Sequence, residues 1–140
     1  MPILELDQSE PGTGEVKIKM SAAGVCASDH HVMTGDNQTP VPIVLGHEGS
    51  GVVDTIGPGV SSVKQGDRCV LSFVANCGHC HSCRIGLSNI CDTNRETGTR
   101  QYDGTFRIHM ADGTVSTSVC QTRGFRGVDH YPAASLLPYA

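Results

Sequence analysis

From Glu15 to Met20 polar and apolar residues alternate strictly, with Val16, Ile18 and Met20 on one face. That period of two predicts a half-buried strand. Ser21-Ala22-Ala23-Gly24-Val25-Cys26 continues it with small side chains, so that something can approach the backbone there closely. Ala27 to Thr34 is compatible with a short helical turn that ends at Gly35. The apolar run Val41 to Leu45 is broken by Pro42, which makes it an edge strand or an extended lead-in. Gly51 to Ile56 is β-branched and closes on the turn Gly57-Pro58-Gly59. Gly66-Asp67 introduces a further strand, Arg68 to Val74. From Ala75 to about Asp103 the periodicity disappears, so a long loop is expected there. Thr105 to His109 and Thr114 to Ser116 flank Asp112-Gly113, a hairpin signal. No segment sustains three helical turns, and no internal repeat is visible. The pattern predicts a mainly β fold, a small barrel or sandwich.

Composition changes this picture little. A chain of 140 residues is one domain's worth, and 17 glycines with seven prolines suit many short strands joined by turns. A net charge of −4 argues against a nucleic-acid or anionic-membrane partner. No run approaches the roughly 18 apolar residues of a membrane span, and no signal peptide opens the chain. The expected setting is cytoplasmic and reducing, where seven cysteines are metal ligands or buried thiols rather than disulfides.

Cys77, Cys80, Cys83 and Cys91 are spaced C-x2-C-x2-C-x7-C. Such spacing brings four thiolates onto one tetrahedron, with Zn–S distances of about 2.3 Å. A closed shell of four thiolates leaves no position for substrate, so this zinc would hold structure. An iron–sulfur cluster is the competing reading, but the bacterial ferredoxin run ends C-x3-C-P, and here the last spacing differs and the proline is lacking. Four unrelated thiols would be the bland explanation. His79 and His81 lie between the ligands and offer competing donors for the metal, but are expected to face solvent, because the thiolates already fill the shell.

A second constellation lies in Gly24 to His31 and Gly46 to Gly49. Cys26 alone could be a buried thiol, and His47 alone a surface histidine beside a turn. Together, Cys26, His47 and Glu48 offer a thiolate, an imidazole and a carboxylate at glycine-rich strand ends, the ligand types of an open catalytic zinc site. The segments Gly24–His31, Leu45–Val53, Ile56–Val60 and Gly66–Arg68, followed by the cysteine loop, resemble zinc-containing alcohol dehydrogenases of the medium-chain dehydrogenase/reductase family. The likeness runs in order from about Gly14 to Cys120 and implies a GroES-like β-barrel with short helical turns and a zinc-binding loop.

Carried over residue by residue, the resemblance makes Cys26 and His47 ligands of a catalytic zinc. Glu48 becomes an exchanging or outer ligand, and Asp29 a residue that orients the site. Ser28 and His31 match the hydroxyl and imidazole that relay a substrate proton to water. A third cysteine ligand is usual in the family and has no counterpart here, and Ala27 stands where some members carry a basic residue. Zinc, as a Lewis acid, lowers the pKa of an alcohol. Hydride would pass to NAD(P), but no G-x-G-x-x-G opens a helix, so residues 1–121 read as a catalytic domain without a cofactor-binding domain. Small alcohols or aldehydes would be the substrates. The isolated chain is expected to be inactive and, with an apolar surface uncovered, to self-associate. The alternative is a non-catalytic zinc-binding β module. Residues 122–140 form an atypical tail: codons compatible with Thr122 to Tyr131, read one base later, encode a family-like Leu-Gly-Ala-Phe-Ala-Glu-Trp-Thr-Thr-Ile, which suggests a frameshift.

Overall fold

The computed structural model describes residues 5–118, 128–132 and 136–138. The alternating segment forms the strand on which the rest is organised. It is β2 (Glu15–Ala23), preceded by the short β1 (Asp7–Gln8) and followed by helix α1 (Ala27–Thr34). After β3 (Ile43–Val44) come β4 (Gly49–Ile56) and β5 (Arg68–Leu71). The cysteine segment holds α2 (His81–Arg84), a 3-10 turn (Ser88–Ile90) and α3 (Asp92–Thr97). The chain then returns to strands: β6 (Ile108–His109), β7 (Val115–Ser118), β8 (Val128–Pro132) and β9 (Leu136–Pro138). Pairing gives a five-stranded sheet, β8-β2-β4-β5-β9, and a four-stranded sheet, β1-β6-β7-β3. The fold is mainly β with short helices, as the periodicity requires.

β2 and β4 run antiparallel, with Val16 opposite Ile56 and Ile18 opposite Val53. Their apolar face carries the core: Val16, Ile18, Val53, Cys69 and Leu71, against which Met20, Ile56, Val60 and Val63 pack. Full burial of residues such as Val16 and Ile18 contributes about 1.5–3 kcal/mol each. β3 lies at the outer edge of its sheet, where a strand entered through Pro42 belongs.

Several expected strands are shorter in the structure: the one continued to Cys26 ends at Ala23, and the run from Val41 to Leu45 is a strand only at Ile43–Val44. Two others are cut short for a visible local reason. The strand beginning at Arg68 stops at Leu71, because the Ser72 hydroxyl donates to the Val74 carbonyl (3.0 Å) and turns the chain out of the sheet. The strand expected from Thr105 begins only at Ile108. The residues before it are engaged elsewhere, since the Thr105 N–H donates to Asp103 Oδ1 (2.9 Å) and Arg107 reaches across to β2. Arg107 donates from Nε to Glu15 Oε2 (2.9 Å) and from Nη2 to Glu15 Oε1 (3.0 Å), a two-pronged pair joining residues 92 apart. Both side chains are buried. The hairpin turns at Asp112-Gly113 as expected, with the Gly113 N–H donating to the Met110 carbonyl (2.8 Å). Cys120 and most of the tail read as frameshifted lie outside the described residues.

Candidate functional site

The segment 77–94 holds its cysteines by its own short helices. Cys80 and Cys91 cap α2 and α3 with sulfur: Cys80 Sγ accepts from the Cys83 N–H (3.5 Å) and Cys91 Sγ from the Asn94 N–H (3.5 Å). Cys91 Sγ also accepts from the Cys77 N–H (3.4 Å), and Cys77 Sγ accepts from the Cys80 N–H and the Thr93 hydroxyl (both 3.3 Å). The two helices are fastened by Asp92, whose carboxylate takes the Ser82 N–H (3.2 Å) and hydroxyl (2.9 Å). Those bonds hold the Asp92 carboxyl below the usual carboxylate range.

The four sulfurs lie within 4.8 Å of one another. All four cysteines are free thiols. Burial pushes the Cys77 thiol up, but the Thr93 hydroxyl and the N–H groups of His79 and Cys80 outweigh it and bring its pKa down to about 6. Cys83 is pushed up to about 12, by burial first and then by neighbouring sulfur. A thiolate at Cys77 is therefore favoured, whereas the Cys80 and Cys91 sulfurs beside Cys83 oppose one there, as like charges do without a cation among them. A divalent ion removes that opposition, and an all-sulfur donor set with N–H groups directed at the sulfurs suits zinc. Tyr102 closes the loop by donating to the Ala75 carbonyl, and burial pushes its phenol up. His79 and His81 are exposed, and His79 Nδ1 lies 2.8 Å from the Cys77 carbonyl oxygen.

The second group forms where β2, α1 and β4 meet. Donor atoms of Cys26, His47 and Glu48 lie within 4.8 Å of one another. Asp29, 2% exposed, organises them from the first turn of α1. Its Oδ2 accepts the Cys26 N–H (3.0 Å), and its Oδ1 accepts the Gly46 N–H (2.9 Å). Oδ1 also lies 3.3 Å from His47 Nδ1, near enough to hold the ring although off the line of a hydrogen bond. One buried carboxylate thus fixes the residue bearing the sulfur and the residue bearing the imidazole.

Gly24 lies directly against Glu48. Its N–H donates to the Glu48 carbonyl (2.7 Å), and a Cβ at position 24 would lie 2.4 Å from Glu48 Oε2. A thiolate, an imidazole and a carboxylate make a three-donor set of mixed type, which fits a zinc ion that keeps a position open. The group borders an open pocket of about 460 Å³ whose lining includes His47, Glu48, Gly49, Leu71 and Phe73. Phe73 meets the His47 ring edge to face, with centroids 5.0 Å apart.

Of the remaining expected site residues, Ser28 is half-buried with its hydroxyl 3.5 Å from Cys26 Sγ. His31 is exposed and pairs with Asp36 instead of joining the donor set. Neither Phe73 nor Asp36 was legible as a site residue. Phe73 reads as one more strand position until Ser72 turns the chain, whereas the place of Asp36 directly after the helix-ending Gly35 is a signal that could have been used.

A family model described as the alcohol dehydrogenase GroES-like domain matches residues 12–122. The putative alcohol dehydrogenase D of Mycobacterium tuberculosis is 46% identical over 124 residues, which cover 88% of this chain and 33% of that protein. The NDMA-dependent alcohol dehydrogenase of Amycolatopsis methanolica is likewise 46% identical, over 126 residues with the same coverage. Among solved structures, an alcohol dehydrogenase zinc-binding domain protein from Burkholderia ambifaria superposes with a TM-score of 0.91 at 29% identity, over 99% of this chain and 38% of that one. Benzyl alcohol dehydrogenase from Acinetobacter calcoaceticus gives 0.77 at 27% identity, over 96% and 36%. The chain spans about a third of the length of these relatives.

Proposed function

The chain belongs to the alcohol dehydrogenase GroES-like domain family, and on that premise we propose that it is the substrate-binding and proton-handling part of a zinc-dependent alcohol dehydrogenase. The observation that carries this reading is the convergence of Cys26, His47 and Glu48 on one point beside a pocket. A zinc ion held there would act as a Lewis acid on the oxygen of an alcohol or aldehyde and bring the hydroxyl pKa towards neutrality.

The chain's own residues supply the rest. Asp29 holds Cys26 and His47 in place through its two oxygens. The Ser28 hydroxyl, beside the sulfur, is positioned to take up the substrate's proton. His31, exposed on the same helix, can deliver it to water, since an imidazole both accepts and donates a proton. Leu71 and Phe73 give the pocket an apolar wall for the carbon part of a small alcohol. Hydride would go to a nicotinamide cofactor, NAD or NADP, bound by a separate domain. Cys77, Cys80, Cys83 and Cys91 would hold a structural zinc. The six cysteines described, all free, suit a reducing, cytoplasmic setting.

Titration of the zinc-loaded chain with ethanol and benzyl alcohol, followed by NMR, tests this. The Phe73 ring resonances are expected to shift with either alcohol, and to stay put in Cys26→Ala and on addition of NAD alone. Shifts of the same size in the metal-stripped chain would show that the alcohols do not need the Cys26 and His47 centre.

A further inference from the structure

Helix α1 ends in a cap that folds the next residue back onto its last turn. Gly35 adopts the left-handed conformation (φ 83°), and its N–H donates to the Val32 carbonyl (3.3 Å). The Asn37 N–H donates to the His31 carbonyl (3.0 Å). These two bonds satisfy helix-end carbonyls and fix the backbone on both sides of Asp36. Asp36 Oδ2 is thereby brought to 2.7 Å from the Thr34 hydroxyl and 3.2 Å from His31 Nδ1. The Thr34 hydroxyl, followed by His31, holds the Asp36 carboxyl below the usual carboxylate range.

An ionised carboxylate has no proton to give; it only accepts. A contact between it and an imidazole nitrogen therefore requires the proton to sit on that nitrogen. For neutral His31 this places hydrogen on Nδ1 and the lone pair on Nε2. Among the described residues the ring beside it is His30, edge-on with centroids 6.2 Å apart.

We propose that Asp36, turned back by the Gly35 cap, is a positioning residue that locks His31 in its Nδ1–H tautomer and so presents Nε2 as the atom that accepts the substrate's proton. The proposal rests on the relay assigned to His31 above. Nε2 takes the incoming proton, giving an imidazolium with both nitrogens protonated. Water then removes the Nε2 proton, and the ring returns to the Nδ1–H form with Asp36 unchanged. Without Asp36 the proton would sit mostly on Nε2, and the nitrogen that must accept would already be occupied. The signal in the sequence is a histidine followed four residues later by Gly-Asp, at a helix C-terminus.

Two-bond 1H–15N correlation spectra of the full 140-residue chain, recorded at a pH where the imidazoles are neutral, read the tautomer directly. His31→Gln identifies the signals of residue 31. In wild type the protonated nitrogen of His31 is expected to be Nδ1. In Asp36→Ala it should become Nε2, and Asp36→Asn, which keeps an acceptor oxygen of the same shape, should retain part of the Nδ1–H population. Protonation at Nε2 in wild type overturns the proposal, and so does a tautomer that is the same in wild type and Asp36→Ala. The readout needs neither metal nor alcohol, so it stands apart from the alcohol titration. A locked Nδ1–H ring in a chain that binds no alcohol would keep the lock and remove the relay.

Discussion

Cys83→Ser is expected to lose the structural zinc and, with it, the folded cysteine lobe. A hydroxyl does not ionise at neutral pH and is a poor zinc ligand, so three thiolates would remain. Outer partners of metal ligands already cost about 10–100-fold in affinity when removed, and loss of a ligand itself should exceed that range. The lobe has little else to stand on. α2 has four residues and α3 six, far below the length at which a helix persists in water. Their caps are Cys80 and Cys91, which are themselves cluster sulfurs. Ile85, Leu87 and Ile90 face outward and give the lobe no core. Metal binding at a site of this kind is folding free energy, of the order of 10 kcal/mol in small structural zinc sites. Limited proteolysis with zinc analysis should show cleavage between residues 75 and 103 and one zinc fewer than wild type, while the core around Val16, Ile18 and Val53 stays protected. Unchanged zinc content and protease resistance would contradict the assignment.

The second large effect is expected at Arg107→Ala. Its partner Glu15 would stay buried, with the Gly12 N–H (2.8 Å) the remaining donor to its carboxylate among the described residues. Breaking a buried ion pair from one side costs about 3–5 kcal/mol, because the remaining charge is left uncompensated. The loss should appear as a lower urea midpoint with an unchanged slope. The double variant Glu15→Gln, Arg107→Met should recover much of it, since replacing both partners removes the stranded charge. If Arg107→Ala alone left the midpoint where it was, the pair would hold nothing together.

What the sequence disclosed follows from the range over which each signal acts. β2 was legible because Val16, Ile18 and Met20 repeat at the period of a sheet. Helix α1 was legible to its last residue because Gly35 stops it. The two metal groups were legible as residue types and spacings, and the structure brings their donor atoms together. The helices of the cysteine lobe were not, because one turn of helix has no periodicity and its caps are sulfurs, which look like ligands and nothing more. The Glu15–Arg107 pair, 92 residues apart, leaves no local trace. The resemblance marks Asp29 as an orienting residue, but nothing local shows that one carboxylate reaches Cys26, Gly46 and His47 at once. That requires the close approach of α1 to the turn before β4.

The central claim is that this chain carries two metal centres of different kinds, one closed and one open. Elemental analysis of the zinc-loaded, dialysed protein tests it most directly. Two zinc ions per chain are expected in wild type, one in Cys83→Ser, one in Cys26→Ala and none when both changes are combined. A single ion in wild type that Cys26→Ala leaves in place, or iron where zinc is expected, would contradict the account.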